Sequence, residues 1–413
     1  MVEKVKFITL GCKVNQYETQ ALKEKFLKYG FKIADKDPHL YVINTCAVTS
    51  KAYIKSKEAI LKAQKENPQA KIAVVGCMVK DGWEELKKMD VDFILSPQEK
   101  HLLPEKILGK ESEDGGIWSL KITHFFNQRA FVKIQDGCDN FCSFCEIPYF
   151  RGRSTSRPKE DVLEEIERLS LRHSEIVLCG INLALYGKER GEDLVSLIKD
   201  ILKIKTLQRL RLSSLEPAYI SDELLELFKN EKLCPHLHLP FQSGDDQILR
   251  LMNKKESVSL YKEIVKKARR INPLVSITCD IMVGFPYEED RHFSNTVKFL
   301  EEIRPMRMHI FSFSARPHTV FENIKISKEM QIKTKERYKI LKELTEKFSY
   351  EYKKKFLGKR LHMVVEEKKK DYVCGYTENY IRVYVKENLP LGEIVKVRIE
   401  KIEGPLVYGK VSR

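Results

Sequence analysis

Three cysteines crowd into eight residues in the middle of the chain: Cys138, Cys142 and Cys145, in the segment DGCDNFCSFCEIPYFRGRS. Cysteine thiolates are the ligands of iron–sulfur clusters, and a four-iron cluster normally takes four of them. Three thiolates leave one iron without a protein ligand, an open position analogous to that of a catalytic metal site. The spacing therefore predicts an iron–sulfur cluster whose open iron binds a small-molecule cofactor. A zinc site, for which no fourth ligand lies nearby, and chance clustering are the alternatives.

A second set of three cysteines is spread over the first 77 residues, but each member follows a short apolar run that is typical of a buried strand. Because the carboxyl ends of parallel strands lie at one edge of a sheet, where α/β domains bind ligands, we expect the three thiols to meet there. The alternative is three buried cysteines without a metal. These residues are Cys12 after Val5–Leu10, Cys46 after Leu40–Thr45 and Cys77 after Lys71–Gly76.

The four remaining cysteines stand alone, and we interpret them as small buried hydrophobic residues, the usual role of a free cysteine. They are Cys179, Cys234, Cys279 and Cys374.

The order of predicted elements indicates an α/β protein with three domains. Residues 1–104 alternate strand and helix patterns and predict a parallel α/β sheet, followed by a polar linker over 105–123. Six further strands between helices, over 124–356, fit a partial (β/α)6-type barrel better than a small doubly wound sheet. Residues 357–413 change to short alternating runs between Gly, Asn and Pro, which predicts a small all-β barrel.

Composition and charge exclude several classes of protein. The 413 residues include 74 Lys+Arg and 59 Asp+Glu, a formal charge of +15, which is consistent with a phosphate-bearing partner. We find neither a signal peptide nor 18 consecutive apolar residues, so we expect no membrane association. Ten cysteines in such a chain indicate reduced thiols and a cytoplasmic location rather than a disulfide framework.

The central cysteine segment, with Phe144 before its last cysteine and a strand at Phe131–Gln135 before it, resembles the radical S-adenosylmethionine (SAM) superfamily. The resemblance implies a radical-SAM barrel in which the open iron chelates the methionine part of SAM. Reduction of SAM there yields a 5′-deoxyadenosyl radical. Such a cofactor supplies the hard chemical step, while the protein binds and orients the reactants.

The whole chain, in order, resembles a narrower group, the methylthiotransferase family. The motifs are GCKVNQYET, INTCAVT, VVGCM, IPYFRGR, GINLALYG, RLSSLEP, HLHLPFQSGDDQILRLMNK and DIMVGFPYE. The resemblance implies two [4Fe-4S] clusters, one on each cysteine triad, and gives all six cysteines catalytic and metal-binding roles. It also implies SAM, a C-terminal RNA-binding TRAM-like domain, an electron donor such as flavodoxin or ferredoxin, and a monomer.

Within the family, Lys13, Val14 and the SSLEP segment resemble the branch that acts on N6-threonylcarbamoyladenosine at position 37 of tRNA, next to the anticodon. The implied reaction methylthiolates C2 of that base in the anticodon stem-loop, since single-stranded loops offer accessible bases. Isopentenyladenosine in tRNA and a ribosomal protein side chain are alternative substrates for the same chemistry. An iron–sulfur electron carrier or a non-enzymatic RNA-binding protein is the alternative of another class.

Several polar residues at predicted strand ends are candidate SAM-binding groups, each with a simple turn or core role as the alternative. With Phe144, they are Gly180, Asn182, Ser213, Ser214 and Gln242. Arg151, Arg153 and Arg157 are candidates for contact with phosphate or the cofactor carboxylate, with a solvated basic loop as the alternative. Arg151, Arg153 and Arg316 are candidates for binding the carboxylate of the threonylcarbamoyl group. His236 and His238 alternate on one strand, and we interpret them as packed or hydrogen-bonded residues rather than metal ligands.

Overall fold

The N-terminal domain is a five-stranded parallel sheet with helical crossovers. The structure is a computed structural model that describes residues 3–111 and 115–412. The strands lie in the order β2-β1-β3-β4-β5. In chain order the elements are β1 (Lys4–Thr9), α1 (Lys13–Lys28), β2 (Lys32–Ile33), β3 (Leu40–Thr45), α2 (Ser50–Glu66), β4 (Lys71–Gly76), α3 (Met78–Lys88), β5 (Phe93–Leu95) and α4 (Leu103–Leu108).

The burial of the central strand, β3, shows how the sheet is covered. Every residue of β3 is buried, as expected for a strand with a hydrogen-bonded parallel neighbour on each side and helices over both faces. Strands β1, β3 and β4 pair in register, so their carboxyl ends lie side by side. The predicted linker over 105–123 includes residues 112–114, which lie outside the described residues, and α4 extends into its first part.

The second domain is an open barrel with helices outside. Its elements are β6 (Arg129–Lys133), β7 (Gln135–Asp136), α5 (Ile147–Arg151), β8 (Thr155–Ser156), α6 (Lys159–Ser170), β9 (Glu175–Cys179), α7 (Leu194–Lys203), β10 (Arg209–Leu212), α8 (Asp222–Glu226), β11 (His236–Gln242), α9 (Asp246–Leu251), α10 (Val258–Ile271), β12 (Ser276–Val283), α11 (Asp290–Ile303), β13 (Arg307–Ser312) and α12 (Lys328–Lys354).

Six of these strands form the barrel wall. Strands β10, β9 and β6 make one parallel sheet, and β11, β12 and β13 make another. Parallel bridges from Leu210 to Leu233 and from Ser214 to His238 join the two. Leu237, Leu239 and Phe241 of β11 lie in the apolar core, so the alternate residues of this strand face the interior of the barrel, here called the lumen.

The C-terminal module is a six-stranded curled sheet, in the order β14-β18-β19-β17-β16-β15. An isolated bridge between Met363 and Thr377 adds a further link across it. The fold class predicted from the sequence, α/β with an all-β C-terminal module, is confirmed. The strands are β14 (Arg360–Val364), β15 (Glu367–Lys369), β16 (Tyr372–Tyr376), β17 (Arg382–Val385), β18 (Ile394–Glu403) and β19 (Leu406–Val411).

The C-terminal module closes one end of the lumen. Glu175, at the amino end of β9, is fully buried and accepts hydrogen bonds from Arg209 and Arg211 of β10. The same two guanidinium groups donate to main-chain carbonyl oxygens of the module, among them that of Thr377. The cations hold the pKa of Glu175 well below its ordinary value, against the opposing effect of burial. One buried carboxylate thus links the barrel floor to the module.

No helix within residues 3–111 and 115–412 combines the length and the apolar character needed to cross a bilayer.

A buried ion pair joins the N-terminal sheet to the outer helices of the barrel. Arg157 donates to both carboxylate oxygens of Glu165, at 2.8 and 3.1 Å, and the Tyr17 hydroxyl of α1 donates to the same carboxylate at 2.9 Å. The main-chain N–H of Ile122 supplies a further bond at 2.9 Å. Arg157 and Glu165 are excluded from solvent, so each charge depends on the other.

Glu165→Gln is expected to lower the free energy of unfolding by about 3–5 kcal/mol, because it leaves the Arg157 charge buried without its counter-ion. The matched control is Glu164→Gln on the same helix, whose side chain is 66% exposed and pairs with Arg168. We expect that change to cost less than about 1 kcal/mol. Urea denaturation followed by circular dichroism measures both, and equal effects would show that the buried pair contributes nothing specific.

Candidate active site: two cysteine triads at one end of the barrel

The loop that carries the central triad leaves the barrel through a glycine. Gly137 has φ of +70°, and a Cβ there would lie 2.0 Å from the carbonyl oxygen of Arg153, so a larger residue is excluded. The N–H of Cys138 then donates to the carbonyl of Gly152, and the N–H of Cys145 donates to the carbonyl of Cys142. These bonds fold the loop back on itself and bring the three thiols together.

The loop is also fixed from the opposite side of the barrel. The hydroxyl of Ser143 donates to the carbonyl oxygen of Leu251 at 2.7 Å, and the side chain of Asn253 donates to that of Phe141 at 2.9 Å. The acceptor Leu251 and the donor Asn253 both belong to the segment around the end of α9. The cysteine loop is therefore held between two parts of the barrel rather than projecting freely.

A buried lysine lies beside the central thiols. Burial raises the pKa of Cys142 and of Cys145 to about 12, and the Lys254 ammonium partly opposes this rise at both thiols. The Lys254 side chain is 2% exposed and pairs with Glu216 and Glu256. Without a metal these thiols stay protonated, so cluster binding must displace their protons.

The N-terminal triad comes together as the sheet topology predicts. A Cβ at Gly11, where φ is +95°, would lie 3.0 Å from the Cys46 sulfur, so the turn before Cys12 sits directly against Cys46. Burial raises the pKa of Cys46 to about 11, and the neighbouring thiols of Cys77 and Cys12 add to the rise. Cys46 and Cys77 are buried, whereas Cys12 is exposed.

The two triads meet at the carboxyl end of β9. Burial and the nearby Cys12 thiol raise the pKa of Cys179, the last residue of this strand. Three residues further on, the side-chain N–H of Asn182 lies 3.7 Å from the Cys138 sulfur. The Oδ1 of Asn182 is buried and has no hydrogen-bond partner among the described residues. The strand end thus lies near both triads, contacts Cys138 through Asn182 and carries one unused acceptor.

A cluster of five buried charges lies between the triads. Glu18 of α1 accepts from Lys100 and from Lys133, both at 2.6 Å, and from Arg151 at 3.1 Å. Arg151 and Lys133 also contact Asp136. Three cations and two carboxylates leave one positive charge in excess. The interpretation of Arg151 as a phosphate or cofactor contact is wrong, because its guanidinium is buried in this cluster.

The excess positive charge of this cluster affects the pKa of a thiol in the N-terminal triad. Burial raises the pKa of the Cys77 thiol, and Arg151 and Lys100 are the cations that oppose this rise. A thiolate-bound cluster brings negative charge, which such cations compensate. The charge cluster therefore connects the two domains and also neutralises ligands of the N-terminal triad.

The distances between the cysteine sulfur atoms distinguish a site for an iron–sulfur cluster from a site for a single metal ion. Tetrahedral zinc with sulfur ligands at about 2.3 Å needs sulfur atoms about 3.8 Å apart. Among the described residues, neither cysteine triad brings its three sulfur atoms within 4.8 Å of one another. The sole group that meets this criterion there is His238, Asp280 and His309. The wider spacing of the triads disfavours zinc and is compatible with a larger cluster.

The candidate SAM-binding residues fall into two groups: those with an unusual feature that suits a binding site, and those whose packing in the core already accounts for them. The Ser213 hydroxyl is buried without a partner at the end of β10, near Ser214. Gln242 ends β11 with φ of +65°, a strained conformation that is typical of functional sites. Gly180 packs against Gln135, where a Cβ would lie 2.9 Å from a side-chain oxygen, so packing alone explains it. Phe144 packs edge-on against an aromatic ring in the core.

The other basic candidates are also engaged. Arg157 is bound in the buried pair with Glu165, and Arg316 is buried against Glu146 at 2.6 Å. Arg153 is exposed and pairs with Asp139, which fits a solvated loop. Of the four arginines only Arg153 fits the alternative of a solvated loop, whereas Arg151, Arg157 and Arg316 are buried in ion pairs. The sequence argument missed Lys254. The signal for Lys254 was its position soon after HLHLPFQSG, at the end of a helix that follows a barrel strand.

An open parallel barrel with a three-cysteine loop at the carboxyl ends of its strands defines a radical SAM enzyme. The sequence profile of the Radical SAM superfamily matches residues 132–300, and that of the uncharacterized protein family UPF0004 matches residues 4–96. Among solved structures, the radical SAM methyltransferase TsrM of Kitasatospora setae aligns with a TM-score of 0.58. It shares 12% sequence identity, with 75% of this chain and 73% of that chain covered.

The chain belongs to the tRNA methylthiotransferase family of radical SAM enzymes. It is 37% identical, over 97% of its length and 95% of the relative's, to the threonylcarbamoyladenosine tRNA methylthiotransferase MtaB of Thermotoga maritima. It is 30% identical to the tRNA-2-methylthio-N(6)-dimethylallyladenosine synthase of Pelagibacter ubique, over 100% of this chain and 98% of that one.

Membership in this family brings SAM and a [4Fe-4S] cluster as cofactors, and the central triad fits them. Its three sulfur atoms do not all lie within 4.8 Å of one another, which is compatible with a cluster larger than a single ion. The unpartnered oxygens of Asn182 and Ser213 lie at the same end of the barrel, and each can take a hydrogen bond from a bound molecule. The remaining SAM-binding assignments stay predictions.

Proposed function

We propose that this protein methylthiolates C2 of N6-threonylcarbamoyladenosine in tRNA, next to the anticodon. The observation that carries the proposal is the placement of two cysteine triads at the carboxyl end of one strand, β9. A reaction that breaks a C–H bond and then inserts sulfur at the same carbon needs two centres close to one base. The 37% identity to the enzyme of T. maritima named for this substrate supports the choice of base.

The cofactors supply the radical and the methyl group. When bound, SAM and the cluster of the central triad provide the hydrogen-abstracting radical for C2, and a second SAM provides the methyl group. The task of the chain is to position them. Asn182 donates to Cys138 and leaves Oδ1 free for the cofactor, while Lys254 places a buried cation beside Cys142.

The second part of the proposal is a [4Fe-4S] cluster on the N-terminal triad that carries the sulfur to be inserted. Three observations support it: the three thiols converge, Cys12 is exposed towards the end of β9, and Arg151 and Lys100 place positive charge beside Cys77. The alternative of three buried structural cysteines explains neither the exposure of Cys12 nor the excess cation in a fully buried cluster.

The C-terminal module offers a groove suited to RNA. A cavity of about 730 Å³ lies between α12, β13 and the curled sheet. Tyr376, Tyr380 and Tyr384 line it, and the first two rings stack on each other at 4.5 Å. Arg307 and Lys353 line the same groove, and burial together with the Arg307 charge lowers the pKa of Lys353. Aromatic faces beside cations bind unpaired nucleotides and their phosphates.

The groove predicts a specific change in the salt dependence of RNA binding. Replacing Arg307 and Lys353 together by Gln is expected to reduce the slope of log K against log salt by about 1.4–1.8, which is about 0.7–0.9 for each lost phosphate contact. The matched control replaces the exposed Lys199 and Lys203 of α7 by Gln. Fluorescence anisotropy with a labelled anticodon stem-loop measures the slopes, and equal slopes in the two double variants would place the RNA elsewhere.

Point variants test the contribution of the C-terminal module to RNA binding better than removal of the whole module does. Arg209 and Arg211 donate to carbonyl oxygens of the module, so a truncated chain exposes these cations and opens the barrel floor. The finer expectations on partners remain part of the proposal: flavodoxin or ferredoxin as electron donor, and a monomer in the cytoplasm that engages the anticodon stem-loop.

Competition between substrates tests the proposed function directly. Reconstituted enzyme is offered equal amounts of anticodon stem-loops that carry threonylcarbamoyladenosine or isopentenyladenosine, together with SAM and a reductant. We expect the methylthio product almost entirely on the first, since burying polar groups against an apolar substituent costs about 1–3 kcal/mol for each unpaired group. Mass spectrometry of the nucleosides measures both products.

A stem-loop with unmodified adenosine is the control for dependence on the N6 substituent. Preference for the isopentenyl substrate would overturn the substrate assignment and retain the chemistry. SAM cleavage without product on any RNA would favour a protein substrate.

A further inference from the structure

One short segment of the barrel contacts the surroundings of both cysteine triads. It comprises residues 314–320, which follow β13, and we call it the bridging segment. The hydroxyl of Ser314 lies 2.6 Å from that of Ser50, at the start of α2. The N–H of Val320 donates to the carbonyl oxygen of Ser143, in the loop that carries the central triad, at 3.1 Å. The segment therefore reaches from the N-terminal domain to the central cysteine loop.

The arginine in the middle of this segment binds three partners that come from both domains. Arg316 Nε donates to the Glu146 carboxylate at 2.6 Å, and Nη2 donates to the carbonyl oxygen of Ala47 at 2.9 Å. The same Nη2 lies 3.4 Å from the carboxylate of Asp81. The Arg316 side chain is 9% exposed, so water competes little for these bonds.

The partners of this guanidinium group lie next to members of the two triads. Glu146 directly follows Cys145 of the central triad, and Ala47 directly follows Cys46 of the N-terminal triad. The third partner belongs to the first turn of α3, the helix that begins directly after Cys77. One side chain thus connects the main chain beside the N-terminal thiols with the main chain beside a central thiol.

The central cysteine loop has a second attachment to the N-terminal domain, at the other end of α5. Arg151 ends this helix and donates to Glu18 of α1. Phe150 packs in the apolar cluster that also contains Cys77. These contacts remain when Arg316 is replaced. We therefore expect the fold and both triads to persist in such a variant, while the start of α5 moves more freely.

We infer that Arg316 is a positioning residue that fixes the N-terminal triad relative to the central triad for sulfur insertion. The inference rests on the proposed function, in which both triads act at one carbon atom. A displacement of about 1 Å between reacting groups can lower a rate about 100-fold. Arginine suits this task because its planar, forked guanidinium binds two acceptors in fixed directions, which a lysine ammonium does not.

The experiment compares Arg316→Gln and Arg316→Lys with the matched control Arg337→Gln, all in the full chain. Arg337 is similarly buried and also binds a carboxylate and a carbonyl oxygen, both of Glu288. It connects α12 to the loop before α11, so its replacement breaks a buried ion pair of the same kind within the barrel. Iron content shows whether each variant loads both clusters, at about eight atoms per chain.

The decisive quantity is the amount of methylthio product formed for each 5′-deoxyadenosine. With a threonylcarbamoyladenosine stem-loop, SAM and a reductant, we expect Arg316→Gln to keep its iron and to form 5′-deoxyadenosine, because the central triad is intact. The product ratio should fall about 10- to 100-fold, since the second centre is misplaced. Arg316→Lys should lie between Arg316→Gln and the wild type, and Arg337→Gln should keep the wild-type ratio.

A second measurement needs no RNA. Hydrogen–deuterium exchange of the full chain, followed by mass spectrometry, should be faster in Arg316→Gln over residues 46–52 and 314–320. In Arg337→Gln it should stay at the wild-type rate in both segments. If Arg316→Gln loads fewer than about eight irons, Arg316→Lys and this measurement decide, and unchanged exchange over residues 46–52 would overturn the inference.

Three results of the product assay would also overturn it. The first is an unchanged ratio in Arg316→Gln. The second is an equal fall in Arg337→Gln, which would show a general effect of lost stability. The third is a parallel loss of 5′-deoxyadenosine and product in Arg316→Gln, since Arg316 would then act on the radical step.

The outcome distinguishes this inference from the proposed function. If the wild type methylthiolates only the isopentenyl stem-loop, the substrate assignment fails, and the same ratio on that RNA still tests Arg316. If the wild type prefers the threonylcarbamoyl stem-loop and Arg316→Gln keeps the wild-type ratio, the proposed function stands and the inference fails.

Discussion

The structure depends on a fully buried cluster of five charges between the N-terminal sheet and the barrel. The cluster consists of Glu18, Lys100, Lys133, Asp136 and Arg151, and Glu18 of the N-terminal domain joins the two domains because it pairs with Lys133 and Arg151 of the barrel. Buried charges are costly unless paired, so the cluster tolerates little displacement. Because Arg151 and Lys100 also act on Cys77, the same contacts that join the domains fix the N-terminal triad relative to the central triad.

The lumen follows from this arrangement. The charge cluster and the triads lie at the carboxyl ends of the strands, while Glu175 and two arginines link the opposite end to the C-terminal module. On the β13 side of the barrel, the His309 side chain is 43% exposed. The interior wall on β11 and β12 is polar, with His236 and His238 against Thr278 and with His238 against Asp280.

Much of the fold and part of the site could be predicted from the sequence. The positions of Cys12 and Cys46 at strand ends correctly predicted that they lie at one edge of the sheet. This prediction was possible because a sequence that alternates strands and helices folds into a parallel sheet, and the alternation is visible in the sequence itself. The roles of Arg151 and Lys254 could not be predicted, since each depends on a partner more than 35 residues away, Glu18 for Arg151 and Glu216 for Lys254. A charged residue in a loop-like segment has the same pattern whether it is solvated or buried against a distant carboxylate, and only the tertiary contacts distinguish the two cases.

The central claim is that the two triads have separate roles at one base, and a variant with Cys12, Cys46 and Cys77 replaced by Ala tests it most directly. The substrate is a threonylcarbamoyladenosine stem-loop with deuterium at C2. The account predicts that iron falls from about eight to about four atoms per chain. It also predicts that deuterium still appears in 5′-deoxyadenosine and that no methylthio product forms. Methylthio product from this variant, or loss of SAM cleavage in a folded variant that keeps about four irons, would contradict the account.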